Sequence, residues 1–161
     1  MTTTPVDAQA FRRAMAAVPT TVTVLTIVDD AGVDRAMTVG AFSSVSLDPP
    51  LVLACVGDDA TIADAMRHVT HFGISVLAHD QEAISRQFAH TAARSFEGVA
   101  HHRGANGMLM IDGAAAYFEC RVTRRHPGGD HTIIVGEVLT ASDDARAPLV
   151  HHRSGYHRLA P

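Results

Sequence analysis

The chain has no lysine: its 13 permanently basic residues are all arginine. That one absence excludes Schiff-base catalysis, a lysine-held pyridoxal group and a P-loop lysine. Cysteine is scarce, with Cys55 and Cys120 alone, each inside an apolar strand-like run. Two buried free thiols in a reducing compartment are the expectation, not a disulfide framework. The 11 histidines include His68 and His71 three apart, and two adjacent pairs at 101–102 and 151–152. No H-E-x-x-H or C-x-x-C pattern accompanies them, so they are expected at surfaces or rims, with no metal. No stretch reaches the roughly 18 consecutive apolar residues of a membrane span. The amino end lacks the charged-then-apolar layout of a secretory signal, which leads to a cytoplasmic expectation. A net charge of -4 with interspersed signs gives no footprint for nucleic acid.

A length of 161 residues suits one domain, 1–161, with a core that needs no staples. Asp7 is placed to cap an amphipathic helix over 7–18, with Ala10, Phe11, Ala14, Met15 and Val18 on one face. Pro19 ends it. Residues 20–28 are rich in β-branched side chains and read as a strand, followed by a hairpin turn at 29–32 and a second strand over 35–38. The apolar run 51–56 reads as a central strand buried on both faces. A helix is expected over 60–68, a strand over 72–77, and a helix capped by Asp80 through Ala89 with Ala83, Ile84 and Phe88 inward. Residues 90–107 carry three glycines and little periodicity, and read as a long loop. Long strands over 114–126 and 130–140 flank a turn at 127–129, and 156–159 adds a short last strand. Strands joined by tight turns, with helices added outside, indicate a mainly β fold: an antiparallel barrel with peripheral helices. The G-x-G-x-x-G fingerprint is absent, which argues against a Rossmann site.

Two segments carry most of the functional information. The first is Met37-Thr38-Val39-Gly40-Ala41-Phe42-Ser43-Ser44-Val45-Ser46-Leu47-Asp48-Pro49-Pro50-Leu51. Its small, hydroxyl-bearing residues leave the backbone open to approach by a planar polar ligand; read from the residues alone, it is equally a serine-containing strand with a bulge. The second, Gly129-Asp130-His131-Thr132-Ile133-Ile134-Val135-Gly136-Glu137-Val138, sets one histidine at the start of a long β pattern, just after a glycine turn.

Together these segments resemble the short-chain NAD(P)H:flavin oxidoreductases, the reductase partners of two-component flavin monooxygenases. The resemblance runs from about Phe11 to Leu159. It implies an antiparallel Greek-key split β-barrel that binds FAD or FMN at a homodimer interface and takes hydride from NADH, or from NADPH. Thr38, Val39, Gly40, Ala41 and Ser44 are implied at the flavin ring edge, with Cys55 and Val56 flanking the ring. Ala60 and Thr61 fall where relatives hold the flavin phosphate; the usual pair of hydroxyls is replaced by Ala60 and Ile62, after Asp58 and Asp59. Ser85, Phe88, Ala89 and Phe96 match a second cofactor segment, in which Arg94 has the permanent planar charge that suits a phosphate. His131 is implied as the catalytic and nicotinamide-binding residue, and Tyr156 stands at the same mouth. Here His151 stands where tyrosine is usual, and Ser154 where glycine is usual. Because the cofactor carries the redox chemistry, the lack of an obvious acid–base pair is compatible with this activity. The alternative within the same fold is a flavin-binding module without nicotinamide-dependent turnover.

Overall fold

The computed structural model describes residues 4–89 and 95–159. Asp7 caps the first helix, α1 (Ala8–Met15), its Oδ1 accepting from the Ala10 amide at 2.8 Å. The helix is shorter than its apolar periodicity, since residues 16–18 continue only as a turn. Beyond Pro19 the expected single strand divides into β1 (Thr20–Thr21) and β2 (Thr23–Val28). The break at Val22 is where the chain crosses from one sheet to another: the Val22 amide donates to the Leu149 carbonyl, while its own carbonyl accepts from Leu77. The turn after β2 is built on Asp29, whose Oδ1 accepts from the amides of Val33 and Ala31 and whose Oδ2 pairs with Arg35 at 2.9 Å. The Val33 amide, then Arg35, hold its carboxyl below the usual range.

The chain continues through β3 (Asp34–Val39), β4 (Phe42–Leu47), β5 (Pro50–Gly57), α2 (Ala63–Met66), β6 (His71–Val76) and α3 (Glu82–Ala89). Then come β7 (His101–Arg103), β8 (Leu109–Ile111), β9 (Ala116–Pro127), β10 (His131–Asp143), β11 (Leu149–His152) and β12 (Gly155–Arg158). Seven strands form one antiparallel sheet in the order β3–β2–β6–β9–β10–β5–β4, and β1, β11 and β12 form a second. β3 and β4 are the two edges of the large sheet, yet only Gly40 and Ala41 separate them. Three Cα steps span at most about 11 Å. Six flat inter-strand spacings of about 4.8 Å would put the edges about 29 Å apart. The sheet therefore curls until its edges approach at the Gly40 end, where the Cys55 amide of β5 donates to the Ala41 carbonyl at 3.0 Å and extends the β4–β5 ladder.

Several sequence expectations change here. β5 is not buried on both faces: Val52, Ala54 and Val56 point inward, while Leu51, Leu53 and Cys55 are only half-buried on the outer face. Among the described residues that outer row stays partly open. The helix expected over 60–68 contracts to the four residues of α2. Asp80 does not cap α3; its carboxylate pairs with Arg146 at 2.7 Å, and the Gln81 carbonyl receives the Ile84 and Ser85 amides. Part of the expected loop over 90–107 is strand β7, which pairs with β8.

The core fills the concave side of the curled sheet with Leu25, Val52, Ala54, Phe72, Ile74 and Ile134. A second cluster around Val24, Leu77, Phe88, Ile111 and Leu149 seats α3 and the small sheet. Each such side chain contributes about 1.5–3 kcal/mol on full burial. Gly136 is required where β10 crosses this core: a Cβ there would lie 2.5 Å from the Phe72 ring.

Candidate functional site

One cavity of about 180 Å³ opens where the edge of the large sheet meets α3 and the small sheet. Four parts of the chain converge on it. Thr38 comes from the end of β3 and Gly40 from the link to β4; Ser85 comes from α3 and Tyr156 from β12. His151 of β11 and the stretch 20–22 complete the wall. The Thr38 hydroxyl donates to the Ser85 carbonyl at 2.7 Å, and the Ser85 and Tyr156 hydroxyls are 2.8 Å apart. These two bonds tie β3, α3 and β12 into one frame, and Ser85 is fully buried within it. The Tyr156 ring is fixed further by the Arg86 guanidinium, 5.0 Å from the ring centroid, and by the edge of His151 at 5.5 Å. Gly40 leaves the floor open, since the nearest atom to a Cβ built there is Thr20 Oγ1 at 3.6 Å. The result is a flat aromatic wall facing a hydroxyl-rich floor, too small to enclose a drug-sized ligand, which needs at least about 300 Å³. A large planar ligand could only be partly inserted, its remainder lying across the open mouth.

The remaining candidate residues fall into three groups. Ala41 and Cys55 meet side by side through the backbone bond already described, and burial pushes the Cys55 thiol up, which keeps it unreactive. Val39, Val56 and Phe88 are 3%, 1% and 0% exposed, so they pack in the core and present almost no surface to a ligand. Phe88 packs on Phe96 at 5.2 Å inside the core. Ser44 is exposed on β4, next to a bulge between Ser44 and Ser46, so the first segment is the end of β3, the Gly40-Ala41 link and a bulged β4 leading into β5. Ala60 is half-buried and Thr61 exposed in the turn before α2, and Ala89 is exposed at the end of α3. Arg94 lies outside the described residues.

His131 opens β10, directly opposite Gly57 of β5. Its Nδ1 is 2.7 Å from Asp130 Oδ1, and this hydrogen bond is the main reason the Asp130 carboxyl sits below its usual range. With Nδ1 engaged by a carboxylate, the Nε2 edge is the one left for another partner. A Cβ at Gly57 would lie 3.7 Å from that Nε2 and 3.0 Å from Asp59 Oδ1, so both groups crowd one bare strand end. Sequence reasoning did not single out Thr20, Thr21 or Arg86. Arg86 carries a local signal, since it sits four residues after Glu82 and binds it twice, at 2.9 and 2.7 Å. The threonines carry none, because only the sheet crossing at Val22 brings them to the cavity.

Among the described residues, no helix is long and apolar enough to cross a membrane. Residues 15–160 match the flavin reductase like domain. The chain is 40% identical over 154 residues to the FMN reductase (NADH) SmoA of Agrobacterium fabrum, covering 96% of this chain and 87% of that one. It superposes with a TM-score of 0.91 on the Streptomyces globisporus NADH:FAD oxidoreductase solved with NAD and FAD fragments, at 39% identity, covering 99% of this chain and 98% of that one. BorF, the flavin reductase component of a bacterial two-component tryptophan halogenase, gives a TM-score of 0.87 at 39% identity, covering 96% of this chain and 99% of that one. With the fold, the cavity and nearly the whole sequence matched in this way, the chain belongs to the flavin reductase-like family.

Proposed function

We propose that this protein is an NADH-dependent flavin reductase that supplies reduced FAD or FMN to a separate monooxygenase-type component. The observation that carries the reading is the frame formed by Thr38, Ser85 and Tyr156 around the bare backbone of Gly40. When bound, the flavin accepts a hydride from the reduced nicotinamide and a proton, leaving NAD+ and reduced flavin. The chain's own part is to hold two flat rings in register. Gly40 and Ala41 let the isoalloxazine edge approach the main chain, and the hydroxyl-bearing floor meets its polar rim. Tyr156 lies locked against that site, and His131, with Nδ1 held by Asp130, would offer Nε2 to the nicotinamide carboxamide. No group needs to act as a strong acid or base.

The curled, unclosed sheet is read as the split barrel of this family, and the working unit as a homodimer. The outer face of β5 and β10 supports that assembly. Leu53 and Cys55 stand opposite Val135 and Ile133 there, only half-buried, while Leu47 on the neighbouring edge strand is 91% exposed. An apolar sheet face of this kind is stabilised by a second copy. Light scattering on the purified chain is expected to give a dimer. The functional test is NADH and NADPH oxidation followed spectrophotometrically with FAD, FMN and riboflavin added separately. Flavin-dependent oxidation is expected, with NADH preferred. A folded protein that no flavin stimulates would overturn the reading.

A further inference from the structure

Tyr156 lines a second hollow as well, one of about 360 Å³ bounded by His79, Glu82, Leu149, His157 and Arg158. The two hollows thus meet at the tyrosine ring. Glu82 is the one carboxylate in the wall, and both of its hydrogen bonds to Arg86 fall on a single oxygen. Arg158 forms no ion pair among the described residues. Arg86 and Glu82 therefore cancel, and Arg158 is left as the uncompensated permanent cation of the hollow. His157 engages the His152 carbonyl through Nε2 at 3.1 Å, and the buried Nδ1 of His79 has no partner.

The other end of the site has the opposite sign. Asp58 and Asp59 are exposed there, Asp64 is 99% exposed with Arg67 only 3.8 Å away, and Ile62 is turned into the core. The cleft beneath Asp58 holds about 10 Å³. A phosphate would meet a surplus of carboxylates over the single Arg67 and no room at that end, whereas at the Tyr156 end it would meet the unpaired Arg158 guanidinium and an open hollow.

We propose that the hollow edged by His79, His157 and Arg158 is a phosphate subsite, which takes the phosphate or pyrophosphate of a nucleotide whose ring occupies the adjoining cavity. The inference rests on the flavin reductase reading for the identity of that ring, and not for the anion chemistry. The phosphate comes from the nicotinamide dinucleotide or from FMN or FAD, and the two sources are separable. Michaelis constants are measured for NADH against the phosphate-free donor 1-benzyl-1,4-dihydronicotinamide, and for FMN against riboflavin, in wild type, Arg158→Gln and His157→Gln. The expected result for Arg158→Gln is a rise of about tenfold in one phosphate-bearing to phosphate-free ratio, the scale of one charge-assisted hydrogen bond at a partly open site. A rise on the donor arm assigns the dinucleotide, and a rise on the acceptor arm assigns the flavin phosphate. Ratios that stay constant overturn the subsite, whether or not all four constants move together. Calorimetric titration with ADP gives a readout independent of turnover. Wild type is expected to bind ADP and Arg158→Gln to bind it about tenfold more weakly. If no flavin supports turnover yet ADP binding depends on Arg158, the reductase reading fails and the subsite stands. ADP affinity equal in wild type and variant sinks the subsite, even with reductase activity intact.

Discussion

Removing the Tyr156 hydroxyl tests the frame on which the site is built. Ser85 is fully buried, and its Oγ has the Tyr156 hydroxyl as its hydrogen-bond partner at 2.8 Å. Tyr156→Phe strips that partner while keeping the ring, its Arg86 contact and its packing. A buried hydroxyl left unpaired costs about 1–3 kcal/mol. For a chain of this size, each kcal/mol lowers Tm by about 2–4 °C, so a fall of roughly 2–12 °C is expected. Ser85→Ala should cost less, because Tyr156 is only half-buried and water can replace the lost partner. The double variant removes both polar groups and should be nearly as stable as Ser85→Ala, giving a coupling of about 1–3 kcal/mol in a double-mutant cycle, the full cost of Tyr156→Phe. Urea unfolding of the four proteins measures that cycle, and flavin Michaelis constants follow the same preparations. The flavin constant should rise for Tyr156→Phe and partly recover in the double variant, because the unpaired Ser85 hydroxyl is then gone. Strict additivity in stability, with Tyr156→Phe melting like wild type, would refute the idea that this hydroxyl pair holds β12 to α3.

The other predictions address separate parts of the molecule. His131→Ala should raise the apparent NADH constant about two- to tenfold with flavin affinity little changed, the value of one neutral hydrogen bond; a variant that loses flavin binding but keeps its NADH constant would reverse the assignment. Gly40→Val should fold, since only Thr20 Oγ1 lies within 4 Å of the new Cβ, yet weaken flavin before NADH in steady-state kinetics. Ser154→Gly should stabilise by about 1 kcal/mol in thermal melts, because Ser154 adopts φ 62 in the β11–β12 turn, a left-handed conformation that glycine enters without strain. Glu119 supplies a pH signature. Its burial alone would push the carboxyl up, but the Met108 amide, the Thr140 hydroxyl and Asn106 donate to it and hold it below its usual range. A depressed folded value means that its stabilisation is complete above the ordinary carboxylate pKa of about 4.3 and drains away as pH falls through the lower folded value. Glu119→Gln should therefore melt lower at neutral pH and show a flatter acid limb; parallel curves for the two proteins would count against this.

How much of this was legible beforehand depended on how local the cause was. The Asp7 cap, the Asp29 turn, β6 and the β9–β10 hairpin each follow from residues a few positions apart, and all were readable. The two-strand split at Val22 was not, because the signal lies in a pairing with Leu149 at the other end of the chain. The two-faced burial expected for β5 failed for a related reason: an unbroken apolar run records that both faces are apolar, not that both are covered. Its outer row, Leu51, Leu53 and Cys55, is the apolar face for which the homodimer is proposed. At the site, Thr38, Gly40 and Tyr156 were identified, and the structure gathers them into one cavity; Phe88 was identified too and is spent on the core. Arg86 and Arg158 are the instructive cases. In sequence Arg86 shows only its spacing from Glu82, and Arg158 only its nearness to Tyr156. Only when α3 and β12 pack together do the two stand around the same tyrosine, with the acids at 58 and 59 left at the opposite end. Charge placement of that kind belongs to the folded arrangement of elements: the acids at 58 and 59 were legible beside the expected phosphate position, whereas the cationic end could be read only from the structure.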